Sequence, residues 1–291
     1  MMRLLRSLLF TPGNHPRRVA TAFTLNADAV VLDLEDACPV AEKVAARATV
    51  VSALQSPRRA LGYVRVNALS TEYGYGDLVA VVQHGVDGIM LAKVNASDEI
   101  KLADWMISQQ ERERGLPPGS VDLLPLIETG AGLAAVESIA RASKRVRRLA
   151  FGAADMTRDL GIEWSREETE LLALRTMLVL GSRAAGIEAP IDLAWIAPRD
   201  VEGFANSVRS GRVMGFQGKL CIHPDQIQAV NAAFSPTEAQ VAKACRVIEV
   251  FRDAEVRGVA AVILDGEMID YALVAQAEQV LARAKRVAGQ A

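Results

Sequence analysis

The sequence predicts an α/β protein built as a TIM-type (β/α)8 barrel with a helical extension at its C-terminus. The chain has 291 residues, which suits one barrel of about 250 residues plus a short addition. Hydrophobic residues make up 51% of the chain, enough for a large buried core. Short aliphatic runs alternate with longer segments of helical periodicity, and this alternation predicts parallel strands joined by helices.

Eight aliphatic runs have the length and composition of buried strands. They are Ser7–Phe10, Ala29–Leu34, Gly62–Asn67, Gly88–Ala92, Asp122–Ile127, Arg148–Gly152, Ala189–Leu193 and Gly218–Ile222. Each is followed by a helix-like segment, so the chain is expected to form βαβ units. An open doubly wound sheet would carry a glycine fingerprint after its first strand, and the TPGN turn at Thr11–Asn14 does not match that pattern. A closed barrel is therefore favoured.

Residues that start and stop helices stand between the predicted strands. Pro16 is expected to open the first helix, Pro39 the second, and Ser97 the fourth, where two acidic residues follow it. Glycines stand where the chain turns back toward the next strand, as left-handed helix caps would require. These glycines are Gly85, Gly115 and Gly186.

The pattern of alternating units ends near residue 234. We assign residues 1–234 to the barrel and residues 235–291 to a C-terminal extension. The extension is expected to contain a long helix, a short apolar run at Val259–Leu264 and a final helix.

Composition excludes several classes of function. The net charge of −2 and the scattered basic residues do not favour nucleic acid as a partner. No apolar run approaches the roughly 18 residues of a membrane-spanning helix, so no membrane association is expected. Cys38, Cys221 and Cys245 are an odd number without CxxC spacing. They favour neither a disulfide framework nor a zinc site, and a reducing cytoplasm fits best.

Two carboxylates follow predicted strands five and six. Glu128 ends the apolar run LLPLI, and Asp155 follows LAF by a glycine and two alanines. In a parallel barrel the C-terminal strand ends form one open mouth, so both carboxylates are expected to point into the same cavity. Without histidine or cysteine ligands nearby, they suit a hard cation: magnesium, with manganese as a substitute. The alternative is that each acid caps the helix that follows it.

Charged residues also end strands two to four. Arg65 lies within the apolar strand VRVN, where a buried cation needs an anionic partner. That partner is either a protein carboxylate, Asp33 or Glu35, or a substrate oxygen. Asp36 adds a third acid to this cluster, which favours a nearby cation. Lys93 is expected to pair with these acids and not to form a Schiff base, because carboxylates raise its pKa.

His223 lies at the end of the last predicted strand. A histidine there could act as a base. Because no other residue reads as a nucleophile for it to activate, we favour a hydrogen-bonded structural role or a position at the edge of a ligand.

Ordered motifs along almost the whole chain resemble the citrate lyase β-subunit-like proteins of the HpcH/HpaI aldolase superfamily, which includes malyl-CoA and citramalyl-CoA lyases. The motifs are RSLLFTPGN, VVLDLEDA, VRVN with YGYGDL, LAKV, LIETGAGL, FGAADMTRDLG, GFQGKLCIHPDQI and DGEMID. Together they are far more specific than any one of them. The resemblance implies a modified TIM barrel, a magnesium ion, and cleavage of a 3-hydroxyacyl thioester into an acetyl thioester and a 2-oxo acid.

The resemblance also implies roles for single residues. Glu128 and Asp155 would ligate the metal and contact the substrate, and Arg65 would act as a catalytic residue that contacts the substrate oxygen. Glu35 and Asp36 would hold waters that are bound to the metal.

Asp270, within DGEMID, matches a catalytic acid that members of this family bring from the C-terminal segment of a neighbouring subunit. A homo-oligomer, commonly a trimer or hexamer, is implied. Backbone N–H groups around Ala154 are expected to bind the substrate carboxylate. Contacts to the CoA part of the substrate are assigned to four residues: Arg6, Pro12, Gly13 and His223.

Three positions differ from the pattern of authentic citrate lyase β subunits: Ala92, Ala154 and His223. These differences make a free CoA ester, such as malyl-CoA or citramalyl-CoA, at least as good a candidate substrate as a citryl thioester on a carrier protein. A thioesterase outcome, in which water follows the cleavage or replaces it, also stays open. Two further functions are possible. One is a class II aldolase that acts on pyruvate and an aldehyde, although such proteins are usually shorter and lack DGEMID. The other is a non-catalytic paralogue that binds CoA esters.

Overall fold

Eight parallel strands pair in chain order, and the eighth closes onto the first. The computed structural model describes residues 4–289. The predicted (β/α)8 barrel is confirmed, with one strand in or beside each predicted run. The strands are β1 Ser7–Pro12, β2 Ala29–Asp33, β3 Leu61–Val66, β4 Gly88–Leu91, β5 Asp122–Ile127, β6 Ala150–Phe151, β7 Ile191–Asp192 and β8 Gly218–Cys221.

Helices connect the strands on the outside of the barrel. They are α1 Pro16–Ala22, α2 Lys43–Leu54, α3 Gly74–Val81, α4 Ser97–Glu113, α5 Gly130–Ala134, α6 Val136–Arg141, α7 Ala153–Leu160, α8 Leu172–Ala184, α9 Val201–Met214 and α10 Gln226–Ala233. Pro16 opens α1, and Pro39 precedes the short 3-10 turn that leads into α2, as predicted. The predicted glycine turns are also confirmed, since Gly85, Gly115 and Gly186 all have positive φ.

Helix α4 begins at Ser97, as predicted, and Ala96 stands at its N-cap. Two strands are shorter than predicted by more than one residue. Strand β7 is shorter than the predicted Ala189–Leu193, because Pro190 has no N–H to donate to a neighbouring strand. Strand β6 is likewise shorter than predicted and excludes Arg148, whose guanidinium instead binds Asp122 and Glu188.

Apolar side chains fill the barrel. Every strand contributes at least one of them, as close packing of a barrel interior requires. The set includes Leu8, Val31, Tyr63, Met90, Leu124, Ala150, Ile191 and Leu220.

A buried ion network lies outside this core, between β7, β8 and helices α8 and α9. Asp192 accepts hydrogen bonds from Arg175 Nε at 3.0 Å and Nη2 at 2.6 Å, and from Lys219 Nζ at 2.9 Å. All three side chains are fully buried. Asp192 therefore compensates two cations that have no access to water.

Residues 232–289, with Leu4, form a second compact unit. It contains α11 Glu238–Val256, β9 Val262–Leu264, β10 Glu267–Ile269 and α12 Tyr271–Ala288. The two strands form an antiparallel hairpin that the sequence analysis did not predict. The core of this second unit includes Phe251 and Ile269. The rings of Phe251 and Tyr271 pack edge to face, with their centroids 4.9 Å apart. A contribution of this unit to a neighbouring subunit remains a prediction.

The three cysteines carry free thiols, of which only that of Cys245 is exposed. Burial raises the pKa of Cys221 to about 12, which makes this thiol unreactive. Among residues 4–289, no helix has the length and hydropathy needed to cross a bilayer.

Replacing Asp192 with Asn tests the buried ion network. The variant leaves Arg175 and Lys219 buried without their shared counter-charge, so we expect a loss of about 3–5 kcal/mol in the free energy of unfolding. Urea denaturation measures it. The matched control is Asp98→Asn, which removes one exposed pair with Lys101 and should leave stability unchanged. Equal free energies of unfolding for the two variants would refute the role of Asp192 as the counter-charge of Arg175 and Lys219.

Candidate active site

Charged side chains gather at one end of the barrel, where β2 to β6 finish. Asp33 is the last residue of β2, and Arg65 is the last but one of β3. Lys93 follows β4, Glu128 directly follows β5, and Asp155 lies in the first turn of α7 after β6. Because the strands are parallel, these residues share the C-terminal mouth, where barrel enzymes carry their active sites.

Glu128 is buried against the barrel wall, with 2% of its surface exposed. Its Oε1 accepts the backbone N–H of Lys93 at 2.8 Å. Thr129, not Glu128, caps α5 by accepting the N–H of Gly132 at 3.0 Å, so the capping interpretation of Glu128 is wrong. A Cβ at Gly152 would lie 2.5 Å from Glu128 Oε2. Glycine at that position leaves the space that the Glu128 carboxylate occupies.

Asp155 is the third residue of α7, and 8% of its surface is exposed. The N-cap of α7 is Gly152, so Asp155 does not occupy the predicted capping position either. Its Oδ2 lies 3.6 Å from Lys93 Nζ, and its Oδ1 pairs with Arg158. The helix dipole favours a negatively charged side chain in the first turn.

The two carboxylates influence each other electrostatically. Burial raises the pKa of Glu128 to about 8; the charge of Arg65 opposes this change, and the charge of Asp155 adds to it. A cation between them would relieve both the desolvation and the repulsion. Magnesium is commonly held by one or two carboxylates, with water and substrate oxygens as the other ligands. Two carboxylates are a donor set of this kind. Residues 4–289 contain no group of three or more His, Cys, Asp or Glu side chains arranged for a metal.

Arg65 is held by protein carboxylates. Its Nε and Nη2 donate to the two oxygens of Asp33 at 2.7 and 2.5 Å, and its Nη1 lies 3.1 Å from Glu35 Oε2. The guanidinium also lies over the ring of Phe10, 4.9 Å from its centroid. The ion-pair alternative is therefore confirmed. A substrate oxygen would have to bind at Nη1, which already pairs with Glu35.

Lys93 pairs with the acids as predicted. Its ammonium binds Glu35 Oε1 and lies 3.6 Å from Asp36 Oδ1. Although burial opposes the change, the hydrogen bond and the charge of Glu35 raise the pKa of Lys93. A protonated amine cannot attack a carbonyl, so a Schiff base at Lys93 is disfavoured. Burial raises the pKa of Glu35 itself.

Two features of the site escaped the sequence analysis. Lys93 has a φ of 51°, a left-handed conformation that is uncommon outside glycine. Lys43 is buried beneath the loop that carries Glu35, and its Nζ donates to the carbonyls of Leu34 at 2.9 Å and Glu35 at 2.5 Å and to Asn67 Oδ1 at 3.0 Å. In a sequence, a lysine in the first turn of a helix looks like a solvent-exposed residue. The sequence therefore does not indicate that Lys43 is buried and binds the loop that carries Glu35.

Of the residues predicted to contact CoA, Pro12 and Gly13 lie at the mouth, at the end of β1. The N–H of Gly13 donates to the carbonyl of Asp33 at 2.8 Å, and a Cβ there would lie 2.9 Å from that oxygen. This close approach explains the glycine. Arg6 precedes β1 and lies at the opposite end of the barrel, where it forms a bidentate pair with Asp28. The structure therefore does not bring Arg6 to the mouth.

Three other predicted residues have simple surroundings. His223 follows β8 with 45% of its side chain exposed, and its Nδ1 accepts the N–H of Asp225 at 3.3 Å. Ala154 is the exposed second residue of α7, so its N–H lies in the first turn of that helix. Asp270 belongs to the C-terminal unit, where its Oδ1 accepts the N–H of Leu273 at 3.0 Å and caps α12. The predicted roles of these residues remain predictions.

Comparisons with known proteins show the family of the chain. Residues 6–224 match the family model described as HpcH/HpaI aldolase/citrate lyase. The citrate lyase subunit beta of Haemophilus influenzae is 38% identical over 286 residues, which cover 98% of each chain. The (3S)-malyl-CoA thioesterase of Cereibacter sphaeroides is 32% identical over 285 residues, covering 97% of this chain and 95% of that protein.

A solved structure is similar over nearly the whole chain. It is that of protein CitE from Mycobacterium tuberculosis in complex with magnesium, acetoacetate and coenzyme A. It has 28% sequence identity and a TM-score of 0.79, and the match covers 97% of this chain and 98% of that chain.

The charge coupling at the mouth can be measured directly by NMR. In the metal-free protein, carboxyl-carbon titration should give Glu128 a pKa of about 8. Replacing Asp155 with Asn should lower that pKa, because the neutral amide no longer opposes ionisation of Glu128. The exposed variant Asp98→Asn should leave it unchanged. An unaltered Glu128 titration in Asp155→Asn would show that the two groups do not interact.

Proposed function

The chain belongs to the HpcH/HpaI aldolase/citrate lyase family, and we propose that it is a magnesium-dependent carbon–carbon lyase. The substrate would be a 3-hydroxyacyl-CoA thioester of the citramalyl-CoA, malyl-CoA or citryl-CoA type, and the products an acetyl thioester and a 2-oxo acid. One observation carries the proposal: the buried carboxylate of Glu128 and that of Asp155 share the barrel mouth with the guanidinium of Arg65. The structure of CitE holds magnesium and coenzyme A, the metal and the thioester carrier proposed here.

The reaction is a reverse aldol cleavage. The substrate hydroxyl loses its proton, its C–O bond becomes a carbonyl, and the adjacent C–C bond breaks. The electron pair of that bond enters the thioester as an enolate, whose carbon then takes a proton to give the acetyl thioester. This chemistry needs positive charge beside the hydroxyl oxygen, a base that takes the hydroxyl proton, and a proton source beside the enolate carbon.

Glu128 and Asp155 would hold the magnesium ion, which supplies a Lewis acid for the hydroxyl oxygen and the neighbouring carboxylate. Arg65 would add a hydrogen-bond donor from Nη1, and the bidentate pair with Asp33 keeps its guanidinium fixed. The N-terminal turn of α7, around Ala154, would offer backbone N–H groups to the substrate carboxylate. Glu35 and Asp36 would accept hydrogen bonds from water beside the ion.

Asp270 would exchange the proton with the enolate carbon. It lies in the C-terminal unit, and we propose that a neighbouring copy supplies it, in a homotrimer or a homohexamer. The carboxylate caps α12 and is partly buried, so its position within that unit is fixed.

Thioester hydrolysis is the second candidate. It is favoured by the (3S)-malyl-CoA thioesterase of Cereibacter sphaeroides, which is similar over almost the full length. Water would attack the thioester carbonyl and release free CoA and the hydroxy diacid, with no C–C bond broken.

Magnesium binding should release protons, because Glu128 is largely protonated near neutral pH in the metal-free protein. The carboxylate must ionise to ligate, so affinity should rise with pH up to about 8 and change little above it. Calorimetry at about pH 7 in buffers of different ionisation enthalpy counts the protons released. Glu128→Gln should lose both the binding and the proton release. Binding that is independent of pH in the native protein would contradict this assignment.

The activity test is an assay of purified protein with magnesium against citramalyl-CoA, malyl-CoA and citryl-CoA. Release of pyruvate, glyoxylate or oxaloacetate reports cleavage, and release of free CoA reports hydrolysis. We expect one ester to be cleaved, with a loss of about 1,000-fold or more in Glu128→Gln, because metal assistance contributes several kcal/mol. Asp270→Ala should also be inactive, while Asp98→Asn should match the native protein.

The other outcomes are equally informative. Free CoA without a 2-oxo acid would establish the thioesterase instead. Activity only on pyruvate and an aldehyde would contradict the thioester proposal and favour a class II aldolase. No activity in any assay would favour a paralogue that binds CoA esters without catalysis.

A further inference from the structure

Lys93 lies among the charged side chains at the barrel mouth and contacts several of them. Its left-handed backbone, with φ at 51°, accompanies an N–H that donates to Glu128 Oε1 at 2.8 Å. A non-glycine residue adopts this conformation at an energetic cost, and such costs concentrate where the surroundings fix a functional geometry. The main chain at Lys93 therefore fixes one of the two proposed metal ligands.

The side chain of Lys93 reaches the other proposed ligand. Its ammonium binds Glu35 and lies 3.6 Å from Asp155 Oδ2 and 3.6 Å from Asp36 Oδ1. The side chain is about three-quarters buried, so bulk water screens its charge only in part. A single residue thus contacts Glu128 through its backbone and Asp155 through its side chain.

Carboxylates outnumber cations at the mouth. Asp33, Glu35, Asp36, Glu128 and Asp155 lie there with Arg65 and Lys93, while Lys43 is buried beneath the loop of Glu35 and Arg158 is largely exposed. The carboxylates attract a cation to the mouth, and the ammonium of Lys93 opposes that attraction.

We propose that Lys93 is a positioning residue that sets the charge of the mouth, so that the site takes one exchangeable divalent cation and discriminates against trivalent ions. The inference rests on the metal site of the proposed function. An ammonium beside Asp155 repels any cation bound there, and the repulsion grows with the charge of that cation. Lys93 would thereby weaken divalent binding moderately and trivalent binding strongly.

Calorimetric titration with Mg²⁺ and with La³⁺, in the absence of substrate, tests the proposal. Lys93→Met removes the charge and keeps most of the side-chain volume. We expect it to bind Mg²⁺ about 10-fold more tightly than the native protein, and to gain still more affinity for La³⁺. Lys93→Arg keeps the charge and should retain the native affinities for both ions.

Two further variants sharpen the result. Lys93→Gly also removes the charge, and its left-handed backbone suits glycine, so it should fold and show the same change if Lys93→Met does not fold. Arg158→Met is the matched control: Arg158 also pairs with Asp155, but it is 73% exposed, so its charge is screened and its loss should change affinity little.

Each outcome has one meaning. Unchanged or weaker Mg²⁺ binding in the neutral Lys93 variants, an equal effect of Arg158→Met, or equal gains for Mg²⁺ and La³⁺ would overturn the role of Lys93. If the native protein binds no Mg²⁺, or if Glu128→Gln binds it as well as the native protein, the metal site of the proposed function fails instead.

Discussion

The site depends on one electrostatic constraint. Two carboxylates lie at the barrel mouth, one of them almost fully buried, and placing two negative charges there costs free energy. Glu128 pays the larger desolvation cost, and the charge of Asp155 raises its pKa further. A protein can resolve this conflict with a proton, a buried cation or a metal ion. The nearby cations, Arg65 and Lys93, relieve it only in part, because both are already paired with other acids. We propose that the remaining negative charge gives the mouth affinity for a hard cation.

The barrel makes this arrangement rigid. Parallel strands bring residues that are far apart in the chain to one end, and separate contacts then hold the charged side chains in place. The N–H of Lys93 and the space left by Gly152 define where the Glu128 carboxylate lies. Lys43 ties the loop carrying Glu35 to the neighbouring strand end. Such supports preorganise the charges before a substrate arrives, which is how electrostatic catalysis avoids the cost of reorganisation.

Much of the fold was readable from the sequence, because eight buried strands and their helices leave a strong periodic signal. The strand-end position of Glu128 and Asp155 followed from the same pattern. The left-handed backbone of Lys93 was not readable, since its cause is a tertiary contact and not a local propensity. The prediction that Arg6 contacts CoA is wrong for a simpler reason. Arg6 precedes β1, so it lies at the end of the barrel opposite the mouth. The hairpin of the C-terminal unit carries an Asp265–Gly266 turn, a signal that could have been used.

The central claim is that Glu128 and Asp155 together hold the divalent cation to which the 2-oxo acid binds. A crystal structure of the protein grown with Mg²⁺ and pyruvate tests it most directly. The account predicts one octahedral ion with an oxygen of each carboxylate at about 2.0–2.1 Å, and with water and pyruvate oxygens completing the shell. Pyruvate bound with no ion, or an ion that contacts neither Glu128 nor Asp155, would contradict it.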